Sequence, residues 1–417
     1  MEVQPAKAKP TSQPPRFSPP LTPCNVPVRR CPVSREEASH RILIMRVGAN
    51  GDILMGTPLL SALRQAYPTA HLTWLADFKH LEAIDANPYI DELIGWDDRY
   101  WKRTLRKLRY PLWLWRALGF RRELRRRGYD IFISFQPEEW PTVLYGVGAA
   151  TTIGIFDTFR RFNRAARTSP LSRRYRYAYT DSDLPPHRTD QYLLSLRALG
   201  LPQPSDKRMQ LGYTEQDAAA VSRFLAQNHL PSGARFVVVA PQTTWPTRNW
   251  PPERYVEVVD ALARQGDRVV VVGNSPRPRP RRKRGAEHDE EFRDVVQEVA
   301  AGLQSPPIVA QDALTFRQLA ALIDRAALVI SGDTGPMHMA AALDTPYVSL
   351  FGPTAPEWYA PQAGRGIALA HPVPCGPCDQ KFCRNEARDH RCMRLITPSE
   401  VLRATDSLLN AEPLLKS

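Results

Sequence analysis

At 417 residues, 43% of them hydrophobic, the chain has the length for two domains and a tail, with enough apolar residues for sizeable cores. Its net charge of +13 points to an anionic partner, whether nucleic acid, acidic lipid or a phosphorylated substrate. No apolar run reaches the roughly 20 residues of a membrane-spanning helix, and residues 1–30 are proline-rich without the apolar stretch of a signal peptide, so a cytoplasmic protein with reduced cysteines is expected.

Residues 1–38 hold many Pro, Ser and Thr and few large apolar side chains, which reads as a disordered tail with Cys24 and Cys31 unpaired in it. RILIMRV at 41–47 is a buried strand, Gly48-Ala49-Asn50-Gly51-Asp52 the turn after it, and 53–66 a helix with Pro58 near its start. This turn lacks the glycine spacing of a dinucleotide loop, although Asp77 closes the next strand, HLTWLAD, where such an enzyme would hold the ribose. Gly51-x4-Gly56-Thr57 resembles a P-loop but has no lysine before the threonine. A strand at 71–76, a short helix at 81–86 and a strand at 89–94 continue a doubly wound parallel sheet.

Residues 99–127 carry twelve Arg and Lys against one acid, Glu123, with Trp101, Trp113, Trp115 and Phe120 interleaved. Such a segment suits an anionic membrane surface or the phosphates of a glycolipid; a solvated helix with packed tryptophans is the plainer alternative. No nucleic-acid recognition motif accompanies the charge, so no nucleic-acid partner is expected. A strand at 129–135, a helix at 142–148 and a strand at 152–155 follow. Asp181-Ser182-Asp183 spells the DxD of metal-dependent glycosyltransferases, but it runs into Leu184-Pro185-Pro186 and reads as loop acid. An amphipathic helix at 187–199 leads to GLPQPSD, whose 201–206 part reads as a linker between domains at 39–200 and 207–396.

The second domain opens with a helix at 215–228 and a strand at 235–240. In the loop after it, the hydroxyls of Thr243 and Thr244 and the cation of Arg248 suit a pyrophosphate. After a strand at 267–272, an arginine-rich run at 277–285 looks like an insert able to attract anions. A strand at 308–310, a helix at 315–324 and a strand at 326–330 then reach Ser331-Gly332-Asp333-Thr334-Gly335. A helix starting at Pro336 would aim its free N–H groups and partial positive charge at a phosphate. Gly332 and Gly335 allow close approach, Thr334 adds a hydroxyl and His338 lies in the first turn; the bland alternative is an Asp333 or Thr334 N-cap and a packed histidine. A strand at 347–351 follows. Cys375-x2-Cys378-x4-Cys383-x8-Cys392 has spacing that suggests structural zinc, with free thiols and a disulfide as alternatives. Thr397-Pro398-Ser399-Glu400 is a capping box opening a helix to 410.

Three stretches resemble glycosyltransferase family 9, the heptosyltransferases of lipopolysaccharide core assembly, in the family's order: RILIMRVGANGDILMGTPLLSALRQAYP at 41–68, PQTTWPTRNWPPERY at 241–255, and DTGPMHMAAAL at 333–343 with FGPT at 351–354. The resemblance spans about 41–410 and leaves out the tail and the arginine insert. It implies an α/β chain of two Rossmann-like domains facing a cleft, the GT-B architecture, with the last helix, in 397–417, crossing back to the first domain. It implies an inverting, metal-independent transfer of heptose from ADP-heptose to an inner-core sugar of lipopolysaccharide or a related glycolipid. Asp52 would be the catalytic base, and Thr243, Thr244, Arg248, Asp333, Thr334, Gly335 and His338 would bind the donor. The family often has lysine where this chain has Arg248, and an acid against the nucleotide for which Glu287, Asp289 and Glu290 all qualify. No cofactor is expected for catalysis, and the enzyme would sit in the cytoplasm, peripheral to the inner face of the membrane. Alternatives are another sugar nucleotide or acceptor, a nucleotide-binding protein without turnover, and an NAD-dependent oxidoreductase, which the broken glycine spacing disfavours.

Overall fold

The structure, a computed structural model, describes residues 25–26, 39–97, 110–136, 147–156, 170–180, 183–276 and 293–411. Outside them lie residues 142–146 of the helix expected at 142–148, Cys24 and Cys31, residues 99–109 of the basic segment, Asp181, the insert at 277–285, and Glu287, Asp289 and Glu290.

Two parallel sheets form from the runs of Val, Ile and Leu that alternate with helices. The first contains β1 (Asn25–Val26), β2 (Arg41–Met45), β3 (His71–Asp77), β4 (Glu92–Trp96), β5 (Ile131–Ser134), β6 (Thr151–Ile155) and β7 (Tyr177–Tyr179), in the order β1-β4-β3-β2-β5-β6-β7. The second contains β8 (Phe236–Ala240), β9 (Arg268–Gly273), β10 (Ile308–Gln311), β11 (Leu328–Gly332), β12 (Tyr347–Phe351) and β13 (Gly366–Ala370), in the order β10-β9-β8-β11-β12-β13. All pairings are parallel except β1 on β4, so two residues of the expected disordered tail add an antiparallel edge. β8, β11 and β12 are buried along their whole length, as strands covered on both faces must be. In each sheet the chain starts centrally, winds to one edge and returns to wind to the other. The reversals fall between β2 and β5 and between β8 and β11, and open sheets bind ligands outside the carboxyl ends of such strands.

The helices are α1 (Asn50–Gly56), α2 (Pro58–Ala66), α3 (Tyr110–Arg126), α4 (Arg188–Ala198), α5 (Glu215–Gln227), α6 (Pro252–Arg264), α7 (Val295–Gly302), α8 (Phe316–Arg325), α9 (Gly335–Ala342), α10 (Pro356–Tyr359), α11 (Arg391–Arg394) and α12 (Pro398–Asn410). One apolar core runs through both sheets, with Ile53, Leu59 and Leu193 on the first side and Val221, Leu322 and Met337 on the second. The outer faces are covered by α3 on the first sheet, through Ala117, Phe120 and Leu124, and by α6, α7 and α12 on the second. No described helix is long and apolar enough to cross a membrane.

Four elements depart from the sequence reading. The helix expected over 53–66 is two helices, because Pro58 has no N–H to continue the first and instead opens the second; the Thr57 hydroxyl donates to Leu54 O at 2.7 Å across the break. The short helix expected at 81–86 is a 3-10 turn, Phe78–Ala83, capped by Asp77, which accepts from Lys79 N at 3.1 Å. The carboxylate that would have held a ribose therefore holds a turn. The strand expected at 89–94 lies at Glu92–Trp96. The last helix does not cross back: Val401, Ala404 and Thr405 pack it against α6 and the β11–β13 side of the second sheet, and Trp250 Nε1 donates to Ile396 O at 3.0 Å just before it.

The capping box of α12 is present, with the Thr397 hydroxyl accepting from Glu400 N and the Glu400 carboxylate accepting from Thr397 N. Thr397→Ala should cost about 1 kcal/mol, read as a lower urea midpoint at unchanged slope. An unmoved midpoint would mean that tertiary packing alone holds this helix.

Candidate functional site

β2 ends in a short turn and α1 starts at Asn50, which puts Asp52 in the first helical turn, not on the loop. Ala49 is the N-cap residue and no side chain caps the helix, so Asp52 is free of that role. Its carboxylate meets Arg46 Nη2 at 2.5 Å and Arg188 Nε at 3.7 Å, and Tyr192 OH donates to it at 3.5 Å. Arg46 leaves the end of β2 and also donates to Phe135 O at 3.3 Å. Arg188 and Tyr192 stand on α4, with both guanidiniums over the Tyr192 ring, at 5.9 and 6.0 Å. Arg188 also lies 5.7 Å from the ring of Tyr359, from α10.

Across from Asp52 are the loop after β8 and the start of α9. Arg248 stacks 4.3 Å from the Trp245 ring and reaches Asp333 at 3.2 Å and Asp379 at 3.4 Å. Asp333 is buried and accepts from the Thr354 hydroxyl at 2.7 Å, so it aims Arg248 and does not cap α9. Thr334 is the N-cap residue, again without a side-chain cap bond, and Pro336 is the second helical residue after Gly335. A Cβ on Gly335 would meet nothing within 4 Å, which leaves its backbone open to a ligand. Gly332 serves packing instead: a Cβ there would stand 2.8 Å from Thr243 Cγ2. Thr243 is turned away, its hydroxyl donating to Trp245 O at 2.7 Å with Asn249 Oδ1 at 2.9 Å.

His338, buried in the first turn of α9, has no hydrogen-bond partner on Nδ1. Burial lowers its pKa to about 4, so the ring is neutral near pH 7. Gly51 of α1 faces it, and a Cβ on Gly51 would come within 2.7 Å of Cδ2. Asp52, Thr244, Arg248, Asp333, Thr334, Gly335 and His338 thus line one cavity of about 180 Å3, together with Ala49, Gly51, Met55, Trp245, Tyr359 and Asp379. Of the residues singled out in the sequence for this site, Thr243 and Gly332 stand behind it.

Sequence reasoning missed Arg46, Arg188, Tyr192, Tyr359 and Asp379. The one available signal was a charged residue closing the otherwise apolar RILIM run at Arg46.

The four cysteines lie near one another, close enough for their charges to interact. Cys375, Cys378, Cys383 and Cys392 are free, and among the described residues no three His, Cys, Asp or Glu side chains form a metal-binding group. Cys383 Sγ donates to Asn385 Oδ1 at 3.2 Å, and Cys392 sits on α11 against Gly352. Burial pushes the Cys392 thiol up to about 11, with Cys378, Cys383 and Cys375 adding to the shift. The loop they span also braces the site, giving Asp379 to Arg248 and the Gln380 carbonyl to the Thr247 hydroxyl at 2.6 Å. Asp183, the described acid of the DxD tripeptide, accepts from Thr180 N at 3.0 Å within its own loop.

The profile of glycosyltransferase family 9 (heptosyltransferase) matches residues 117–388. Lipopolysaccharide heptosyltransferase 1 of Pseudomonas aeruginosa is 27% identical over 350 residues, which are 82% of this chain and 87% of that protein. The crystal structure of a family 9 glycosyl transferase from Veillonella parvula aligns with a TM-score of 0.70 at 25% identity, over 89% of this chain and 98% of that one. Escherichia coli heptosyltransferase WaaC, solved with ADP, shares the fold with a TM-score of 0.61 at 21% identity, over 88% of this chain and 99% of that one. A family profile over well more than half of its length and two doubly wound sheets meeting at one charged cavity place this chain in glycosyltransferase family 9, as a transferase of GT-B architecture.

Proposed function

We propose that the chain moves a heptose from ADP-heptose to an inner-core sugar of lipopolysaccharide or a related glycolipid, on the cytoplasmic side, with inversion and without a catalytic metal. The observation that carries this reading is the placement of Asp52 opposite Arg248 and the open start of α9 across one cavity. The half at 39–200 would hold the acceptor and the half at 207–396 the donor. Its relatives support the sugar: the Pseudomonas protein is named a lipopolysaccharide heptosyltransferase, and the WaaC structure contains ADP. At about 180 Å3 the cavity is smaller than the roughly 300 Å3 of the smallest drug-sized sites. It suits the diphosphate and the reacting carbon, not the whole donor.

Asp52 takes the proton of the acceptor hydroxyl as that oxygen attacks the anomeric carbon. The bond from that carbon to the diphosphate breaks on the opposite face, and ADP leaves with the electron pair. Charge then grows on the β-phosphate, where Arg248, the Thr244 hydroxyl, the N–H groups near Thr334 and Gly335, and a neutral His338 N–H would stabilise it. Arg46 and Arg188 compensate and orient the Asp52 carboxylate. With a guanidinium and a helix start aimed at the phosphates, the leaving group has its positive charge from the protein.

Asp52→Asn should lower turnover of ADP-heptose by a factor of about 10² to 10⁴ while ADP affinity stays within a few-fold of wild type. Retained turnover would assign the base elsewhere, and lost ADP binding would make Asp52 a structural residue.

ADP should raise the melting temperature equally with magnesium and with EDTA, reflecting the roughly 2.7 kcal/mol of stabilisation expected at a hundredfold excess over its dissociation constant. A shift with UDP or GDP in place of ADP would change the donor, and a shift abolished by EDTA would overturn metal independence.

His338 carries a pH signature. Its pKa is about 4 in the folded chain and 6.5 when unfolded, so between those values the unfolded state binds the extra proton. Stability should therefore fall as pH drops through 6.5 towards 4, by up to about 1.4 kcal/mol per pH unit from this group. His80, also lowered to about 4 by burial, acts in the same direction. Urea midpoints from pH 7 to 4.5 should decline less steeply in His338→Gln, and identical slopes would refute the buried neutral assignment.

A further inference from the structure

α3 lies on the outer face of the first sheet with one side covered and one bare. Its covered side is Ala117, Phe120, Leu124 and the following Arg127. Its bare side begins with Leu114, Trp115 and Leu118, which are 53%, 61% and 50% exposed and make up three of the five exposed large hydrophobic residues among those described. Positions i, i+1 and i+4 place them on a single helical face. Continuing at helical spacing, that face turns basic with exposed Arg122, Arg125 and Arg126. Gly119, between the two halves, has open space where a side chain would project. The whole stripe, from Leu114 to Arg126, is about 18 Å long.

The direction of the helix is fixed by its contacts with β4. Arg127 pairs with Glu92, the first residue of that strand, at 2.5 Å. Phe120 lies 5.3 Å from Trp96, the last. α3 therefore runs antiparallel to the strand, and its apolar end projects toward the carboxyl edge of the sheet, where Asp52 and the cavity also lie.

We propose that this stripe docks the enzyme on an anionic lipid bilayer. Leu114, Trp115 and Leu118 enter the headgroup boundary, while Arg122, Arg125 and Arg126 lie on lipid phosphates. An apolar face with an aromatic residue continued by arginines is the chemistry that interfacial helices use, and a protein of net charge +13 is drawn to such a surface before any apolar contact forms. A second copy of this equally cationic chain would match the apolar half and not the basic half. Docked in this way, the cavity opens at the bilayer edge, within reach of an acceptor held in the membrane.

The test uses the full chain and vesicle flotation, with phosphatidylcholine alone or mixed with phosphatidylglycerol. Wild type should float with the anionic vesicles and stay behind with the neutral ones. L114S/W115S/L118S, which keeps every arginine, should bind the anionic vesicles about tenfold or more weakly with an unchanged melting temperature. R122E/R126E should lose about fivefold or more per arginine. Undiminished binding of the apolar triple variant would overturn the proposal and assign lipid binding to basic residues elsewhere, the 277–285 run included. Equal binding of wild type to neutral and anionic vesicles would overturn it as well. So would a wild-type dimer in sedimentation velocity that the triple variant converts to monomer, since a second copy would then own the face.

Discussion

The site depends on how closely two helix starts approach each other. α1 follows β2 and α9 follows β11, and they meet where Gly51 faces the His338 ring with no room for a Cβ. Any larger residue at Gly51 would force the His338 ring or one of the two helix starts to shift. The approach is held at its margins by bonds between the two sides. His187 Nε2 meets Ala360 O at 2.8 Å, Gln362 donates to Asp190 at 2.8 Å, and Phe316 N donates to Glu82 at 2.9 Å. Arg317 on α8 bridges Asp85 on the first side and Asp217 on the second. Behind these bonds the apolar core passes from one sheet to the other, so the cavity is formed by packing on several sides.

Charge in the cavity is arranged in matched groups. Asp52 faces Arg46 and Arg188, while Arg248 faces Asp333 and Asp379. Removing such groups from water costs about what their attraction returns, so buried pairs contribute little net stability. Their value here is position. Arg248 lies over the Trp245 ring and is held by two carboxylates, so its guanidinium is fixed in place. Arginine suits this better than lysine, since one planar fork can hold two carboxylates and stack on a ring together.

Much of this was legible in the sequence for simple reasons. Runs such as FVVVA and YVSLF have no polar face, which means strands buried on both sides. The breaks after β2, β8 and β11 carry residues that reached one cavity, from Asp52 through Thr244 to His338. What escaped was whatever depends on distant contacts. Arg188 reads as the polar face of an amphipathic helix and Tyr192 as core, and only folding brings them to a carboxylate about 140 positions away. Thr243 and Thr244 are indistinguishable in sequence, yet one closes a turn and the other edges the cavity. Asp77 stood where a ribose ligand would, and the local need to cap a 3-10 turn took its carboxylate.

Asp52 itself is positioned by rigid parts. Its helix springs directly from a central strand, Arg46 is the residue after that strand, and Arg46 is tied in turn to the end of β5 through Phe135 O. The other guanidinium comes from the first residue of α4. Both arginines rest near the ring of Tyr192, whose other neighbour is Phe135, stacked at 4.1 Å and 17°. Aromatic faces attract guanidiniums within about 6 Å, so the ring stands in for water around two buried cations. The column Phe135–Tyr192 thereby ties the Asp52 carboxylate to the ends of β2 and β5, on either side of the chain reversal. A carboxylate held this way keeps its place, which a carboxylate on a free loop would not do.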